Sequence, residues 1–280
     1  MERTEARRPD AGSVLNKVQA LLESFAPDDE HLSLSEIARR SGLAKTTVHR
    51  LAHELLEWGV LERRGTEYGL GLRLFELGQR VPRQRILRDA ARPYMQDLYQ
   101  ATRETIHLSI PDGREVLYLE KVFGHGQVAW PSRFAGRMPL HGPATGKVFL
   151  AFGPEALLEE VLAEPLERIT PYTVSTPSAL RAEVSRAREQ GYVVEREQAR
   201  VGFVSVAVPL YGATGTVIAA LSVTAPLHRA KESEYVSLLE AAGRRFGLAG
   251  GAPGNASGGA SGGASGNASG GASGGTRGGS

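Results

Sequence analysis

The stretch that most constrains this chain runs from Leu34 to Tyr68, with Gly42-Leu43-Ala44-Lys45-Thr46-Thr47-Val48-His49-Arg50-Leu51 at its centre. It reads as the turn and second helix of a helix-turn-helix. Ser33-Leu34-Ser35-Glu36 has the form of a capping box, in which a hydroxyl and a carboxylate three residues on satisfy each other's free backbone donors. A short helix with Ile37 and Ala38 inward follows, and Gly42 supplies the freedom for a sharp turn. Val48, Leu51, Ala52, Leu55 and Leu56 then fall at helical spacing, one buried stripe. Lys45, Thr46, Thr47, His49, Arg50 and His53 are left outside near the helix start, where such a motif meets base edges and phosphates.

Gly59 ends that helix, and Val60 to Leu70 reads as two short strands around Arg63-Arg64-Gly65. This is the pattern of a wing, whose basic tip, Arg63 and Arg64, can hold phosphates beside the groove. The alternative is an ordinary helical hairpin with a solvated basic face. Cap, turn glycine, polar face and wing in this order favour the DNA-binding reading.

Net charge adds nothing to that inference. The chain of 280 residues carries a formal +2, and the acids Asp28, Asp29 and Glu30 offset the bases of its first part. Only the local distribution points to nucleic acid. No apolar run approaches the length of a membrane helix, and the start lacks the apolar core of a signal peptide. With no cysteine there is no disulfide framework or thiolate chemistry. Together these predict a cytoplasmic protein with no membrane association.

Along the chain, residues 1–12 read as a flexible arm and residues 13–71 as the winged helix-turn-helix, with Val14, Val18, Leu21, Leu22 and Phe25 on a support helix. Leu72, Phe75 and Leu77 begin a linker helix, residues 72–85, broken at Val81-Pro82. A helix from Ile86 to Ala101 then opens a second domain, residues 86–248, where the period changes. Thr105–Ile110 and Glu115–Val122 alternate like strands around a Pro-Asp-Gly-Arg turn. Phe123 to Pro139 is loop-like; Gly142–Phe152, Glu155–Leu162 and Ser178–Gln190 read as helices. Strands recur at Tyr192–Glu195, Phe203–Pro209 and Thr216–Thr224, before a closing helix with Tyr235, Leu239 and Phe246 inward. The expected class is α+β, with helices on an antiparallel sheet. Residues 249–280, a Gly/Ala/Ser/Asn repeat, read as a disordered tail.

Several motifs promise chemistry and fail on context. Gly142-Pro143-Ala144-Thr145-Gly146-Lys147 is one residue short of a phosphate-binding loop and has Val148 where a Mg²⁺-binding hydroxyl is needed. Gly259-Ala260-Ser261-Gly262-Gly263 imitates a nucleophile elbow with no strand before it. His107, His125 and His141 lack compact metal-ligand spacing; one packed His and others on the surface is the simpler expectation, and no metal or cofactor is assigned. Ser205, Ser222 and Thr224 put hydroxyls on one face of their strands, with Val206 and Val223 on the other. They read equally as satisfied core hydroxyls or as the floor of a polar pocket. No general acid, base and nucleophile converge among these candidates, so no catalytic residue is assigned.

Read as a whole, residues 13 to 246 resemble the IclR family of bacterial transcriptional regulators. The likeness rests on Leu32 to Ala38, Gly42 to Leu51 and Tyr68-Gly69-Leu70-Gly71 in the first half. In the second it rests on Pro139-Leu140-His141, Gly146-Lys147, Arg188 to Tyr192, and Gly202 leading to Ala207-Val208-Pro209. The resemblance implies a winged helix, a linker helix and a GAF-like effector-binding domain, assembled as homodimers or homotetramers on a double-stranded DNA operator. It further implies an effector pocket involving Ala144, Thr145, Glu195, Ser205, Ser222 and Thr224. Two departures stand out: Ser205 where the family often has Cys, and Gln198 where it usually has Glu. The expected function is a ligand-responsive regulator sensing a small organic acid or catabolite, with Glu195 on a ligand hydroxyl and Val204 and Leu221 as apolar walls. The alternative is a small-molecule enzyme whose winged helix is a DNA tether.

Overall fold

The computed structural model describes residues 12–26, 28–123 and 136–249. The expected arm, the tail, His125 and most of the loop after Phe123 lie outside these.

The first part is a small helical unit closed by a three-stranded sheet. Helix α1 (Val14–Glu23) supports α2 (Leu34–Ser41) and α3 (Lys45–Glu57), and strands β2 (Leu61–Arg64) and β3 (Glu67–Leu70) form the wing. A two-residue strand, β1 (Leu32–Ser33), pairs with β3 and completes the order β1-β3-β2. Too short to alternate, β1 leaves no periodicity in the sequence. Leu21, Ile37, Val48, Leu51, Leu55, Leu61 and Tyr68 meet in one core, so the stripe on α3 is buried by its neighbours and its other side is left to solvent. Gly42 caps α2 at φ 69°, a left-handed conformation that a side chain resists. The capping box is only half made. Ser33 Oγ accepts from the Glu36 N–H at 3.2 Å, but the Glu36 carboxylate turns to Arg39 and Arg40, whose charge outcompetes a backbone amide.

Two helices follow, α4 (Leu72–Gly78) and α5 (Pro82–Thr102). Pro82, expected to break the pattern ahead of a helix at Ile86, is instead the first residue of α5, where its missing N–H costs nothing. From there α5 runs through Pro93 without a break and lays Leu87, Ala91, Met95 and Leu98 on a sheet.

That sheet has six strands in the order β6-β5-β4-β9-β8-β7, every neighbouring pair antiparallel. They are β4 (Thr105–Asp112), β5 (Glu115–Val122), β6 (Arg137–Pro139), β7 (Val193–Arg196), β8 (Phe203–Tyr211) and β9 (Val217–Pro226). β6 falls in the stretch expected to be loop. Helices α5 and α9 (Glu232–Leu248) cover one face through Ile106, Leu108, Val206, Val208, Leu221 and Val223. Helices α6 (Ala144–Phe152), α7 (Glu155–Leu162) and α8 (Pro177–Gln190) lie on the other, over Val116, Tyr118, Ala207 and Ala220. Because side chains alternate across a strand, Val206, Val208, Leu210, Leu221 and Val223 serve the first face, and Ser205, Ala207, Ala220, Ser222 and Thr224, of the opposite parity, the second.

Helix α6 sits close to the chain that precedes it. A Cβ on Gly146 would lie 2.2 Å from the Leu140 carbonyl oxygen and 2.7 Å from its Cα, both backbone atoms with little room to yield. Gly146→Ala should therefore destabilise the protein by roughly 1–3 kcal/mol or more, as overpacked sites do. Urea denaturation checks this; a wild-type midpoint would contradict the close approach.

Candidate functional site

The outer face of α3 carries the first group of candidates. Lys45, Thr46, His49 and Arg50 are exposed and Thr47 is half-buried. N-cap Ala44 supplies no side-chain acceptor, which leaves first-turn amides of α3 free to bond phosphate oxygens. Arg50 forms an ion pair with Glu54 at 2.7 Å. An exposed i,i+4 pair contributes little, so Arg50 can exchange it for a base edge. On the wing, Arg63 donates from Nε to the Gly65 carbonyl at 2.9 Å and lies over the Tyr68 ring at 5.8 Å, which braces the turn; Arg64 is exposed. Arg39 and Arg40 are otherwise engaged. Both pair with Glu36, and Arg40 also with Asp29 at 2.5 Å, so these two bases are opposed in space.

The second group converges between the sheet and the start of α6. Ser205, Ser222, Thr224, Ala144 and Thr145 line one small cavity, joined by His107, Tyr118 and Pro143. Strand register explains the grouping. Ser205 faces Thr224 across β8 and β9, and His107 faces Ser222 across β9 and β4. Ser109 then faces Tyr118 across β4 and β5. A polar stripe thus crosses four strands on the face opposite the valines. The Ser205 and Thr224 hydroxyls lie 2.8 Å apart, while Thr145 Oγ1 and Ser109 Oγ are buried with no hydrogen-bond partner. The enclosed space is about 10 Å³, room for about one water molecule.

His107 and Tyr118 were not among the candidates. The sequence signal was the alternation Thr105, His107, Ser109 against Ile106, Leu108, Ile110; the register that sets it beside β9 was not readable. His107 is buried against the Tyr118 ring at 5.2 Å, and burial, with Lys121 adding to it, pulls its pKa down to about 3, so the ring is neutral. Burial pushes the Tyr118 hydroxyl up to about 12. Burial also claims His141, whose Nε2 is 2.8 Å from the Glu167 carbonyl oxygen. The expectation of a single packed histidine is thereby corrected. Val204 and Leu221, expected as pocket walls, have the opposite strand parity from Ser205 and Ser222 and point away from the cavity. Its apolar wall comes from Pro143, Ala144 and the Tyr118 ring.

Glu195 stands one step behind the cavity, opposite Ser205 in register. Its Oε2 accepts from the Gln198 and Ala199 N–H groups at 2.8 and 3.4 Å, and its Oε1 is buried without a partner. Beside it lies Lys147, among the large, fully buried side chains of the described residues. Lys147 Nζ donates to Glu183 and to the Gln198 side-chain oxygen, both at 2.5 Å, and Gln198 Nε2 donates to Glu183 at 3.0 Å. The lysine of the apparent phosphate loop is thus spent on a buried ion pair. Burial lifts the Glu195 pKa to about 7, a rise that Lys147, the two amides and the Ser205 hydroxyl only partly oppose.

A winged helix with an open recognition face, followed by a sheet domain with a polar pocket, defines a ligand-responsive DNA-binding transcriptional regulator. The IclR helix-turn-helix domain matches residues 14–65 and the bacterial transcriptional regulator IclR C-terminal domain residues 79–245; the chain belongs to the IclR family. It is 32% identical over 244 residues to the HTH-type transcriptional regulator KdgR of Dickeya chrysanthemi, covering 85% of this chain and 80% of that one. It is 33% identical over 239 residues to XynR of Escherichia coli (strain K12), covering 83% and 95%. Among solved structures, an IclR homolog from Microbacterium hydrocarbonoxydans complexed with 4-hydroxybenzoate is 37% identical with a TM-score of 0.77, covering 83% of this chain and 96% of that one. The relatives are named as regulators, and none of the described helices is long and apolar enough to cross a membrane.

Glu195 makes stability depend on pH. Its folded pKa, about 7, lies above the ordinary 4.5, so the folded chain keeps a proton that the unfolded chain loses. Stability should then fall as pH rises from about 4.5 to about 7 and lose nothing further from this group above that. Glu195→Gln removes the decline, so its melting temperature should gain on wild type across that interval. Parallel melting curves against pH would show that the carboxyl is not held neutral.

Proposed function

We propose that the cavity between β8, β9 and the start of α6 is the effector site, and that it takes a compact organic acid. The observation that carries this is the convergence of Ser205, Ser222, Thr224 and the unpartnered Thr145 hydroxyl on the opening turn of α6. That turn has no side-chain cap at Pro143, and free helix N–H groups favour negative charge. Hydroxyls and amides take the carboxylate; Tyr118 and Pro143 pack against the carbon skeleton. Glu195, whose protonated form is favoured by burial, serves a hydroxyl or keto oxygen at the far end. The 4-hydroxybenzoate bound by the Microbacterium homolog is of this chemical type. With room for about one water, the cavity must open to admit such a ligand. Binding therefore favours one arrangement of the sheet and α6 over another, which a ligand must do to alter DNA affinity.

On the DNA side, Lys45, Thr46, Thr47, His49 and Arg50 enter the groove and Arg63 and Arg64 flank it. The DNA-binding unit comprises residues 13–71 and the effector unit 86–248. One recognition helix covers a half-site, so the working form is a homodimer or homotetramer on a near-palindromic operator. Leu15, Leu72 and Phe75, 77%, 68% and 62% exposed, supply apolar surface for a second copy. The protein acts in the cytoplasm, and it acts by binding rather than turnover.

Three measurements test the reading. Arg50→Ala should weaken operator binding by roughly 1–3 kcal/mol with the fold intact; an unchanged affinity removes Arg50 from the interface. A thermal-shift panel of 4-hydroxybenzoate and small hydroxy and keto acids should raise the melting temperature of wild type. Ser222→Val should lose about 1–3 kcal/mol of ligand affinity and keep ligand-free DNA binding. Undiminished ligand response in that variant refutes the pocket, and consumption of the acid by wild type refutes the regulator without turnover.

A further inference from the structure

Between Glu76 and Asp89 the chain carries Arg80, Arg83, Arg85 and Arg88 and no acid. Arg88 pairs with Glu120 on β5 at 3.1 Å. Arg80, Arg83 and Arg85 are exposed, and among the described residues none of the three is in an ion pair. The nearby carboxylates are already engaged: Glu76 with Arg73 at 2.8 Å, Asp89 with Arg92 at 3.8 Å, Glu120 with Arg88.

Their position is the end of the helix less favourable to cations. Arg80 precedes the N-cap Val81, and Arg83 and Arg85 are the second and fourth residues of α5, a helix of 21 residues with no acid in its first turn. The positive end of a helix dipole favours carboxylates and disfavours cations. Three guanidinium groups there repel one another and the helix end, and nothing in the described fold relieves them. An external anion would.

Geometry narrows which anion. Residues two apart on a helix lie about 200° apart around its axis, so Arg83 and Arg85 do not converge on one small ion. They suit charges spread along a polymer. The same chain has just left the wing: Gly71 donates to the Val60 carbonyl at 2.8 Å and Arg73 to the Gly59 carbonyl at 3.3 Å, which ties α4 to the DNA-binding unit immediately before Arg80. We infer that Arg80, Arg83 and Arg85 form a second phosphate clamp on double-stranded DNA, extending the contact beyond α3 and the wing. The clamp carries no base specificity, because guanidinium groups on phosphates read none. This inference rests on the DNA-binding reading of α3.

Counterion release gives it a measure that needs no operator. Each phosphate contact adds about 0.9 to the slope of log affinity against log salt on duplex DNA. The full chain is titrated onto a labelled duplex of arbitrary sequence over roughly 50 to 200 mM salt. The triple variant Arg80→Ala, Arg83→Ala, Arg85→Ala should show a slope smaller by about 2–3 and bind on the order of a hundredfold more weakly near 0.1 M salt. Its melting temperature without DNA should equal or exceed that of wild type. The corresponding triple lysine variant should retain the wild-type slope. A wild-type slope in the alanine variant overturns the clamp, as does equal loss in the lysine variant, which would mean shape and not charge. A lower melting temperature or dissociation of the oligomer in the alanine variant overturns it too, by assigning the arginines to the fold or to a second copy. Failure of wild type itself to bind duplex DNA would instead refute the DNA-binding reading.

Discussion

The pairing of β8 with β9 decides which face of the sheet becomes a core and which becomes a site. Val206 faces Val223 on one side, and Ser205 faces Thr224 on the other. A shift of one residue would turn every side chain over, setting hydroxyls against the apolar helices α5 and α9 and valines against α6. Burial of the valine face holds the register, and the register in turn holds the hydroxyls where they can be used. The placement of the hydroxyls on one face is thus secured by the stability of the other.

Behind the hydroxyls sits a charge network built around the buried Lys147. Lys147 could not be buried alone, and Glu183 and the Gln198 amide compensate it. Gln198 also ties in the segment before α8: Thr170 and Thr173 donate to the Glu197 and Gln198 carbonyls, each at 2.7 Å. Because Gln198 is neutral, a single carboxylate, Glu183, pairs directly with the lysine, while burial is what favours the protonated form of Glu195. A Glu at position 198, usual in the family by resemblance, would add a negative charge beside Glu195. The departure at this one position therefore bears on the electrostatics of the whole pocket floor.

Coupling between pocket and DNA needs an element that feels both, and α5 is continuous from the arginines at its start to the apolar contacts on the sheet. Its 21 residues span about 30 Å. On the proposed reading, α5 is the element that would carry a change in how the sheet packs against Leu87, Met95 and Leu98 toward Pro82, past the interior Pro93. If the small space beside α6 is the effector site, as proposed, a ligand would have to displace α6 or the sheet to enter it.

The sequence alone determined the elements with strong local signals. Gly42 and the stripe from Val48 to Leu56 specify the helix-turn-helix, because a left-handed turn and an apolar period are local facts. Hydroxyl alternation placed Ser205, Ser222 and Thr224 on one side of their strands for the same reason. It did not show that His107 and Tyr118 complete the cavity, since that depends on β4, with β5 on its other side, lying beside β9, a pairing between residues over a hundred positions apart. Nor did it show that Arg39 and Arg40 are consumed by Glu36 and Asp29, that Lys147 is an interior cation, or that β1 exists. Local conformation is written in neighbouring residues; which charges meet, and which strand lies next to which, is settled only when distant segments compete for the same partners.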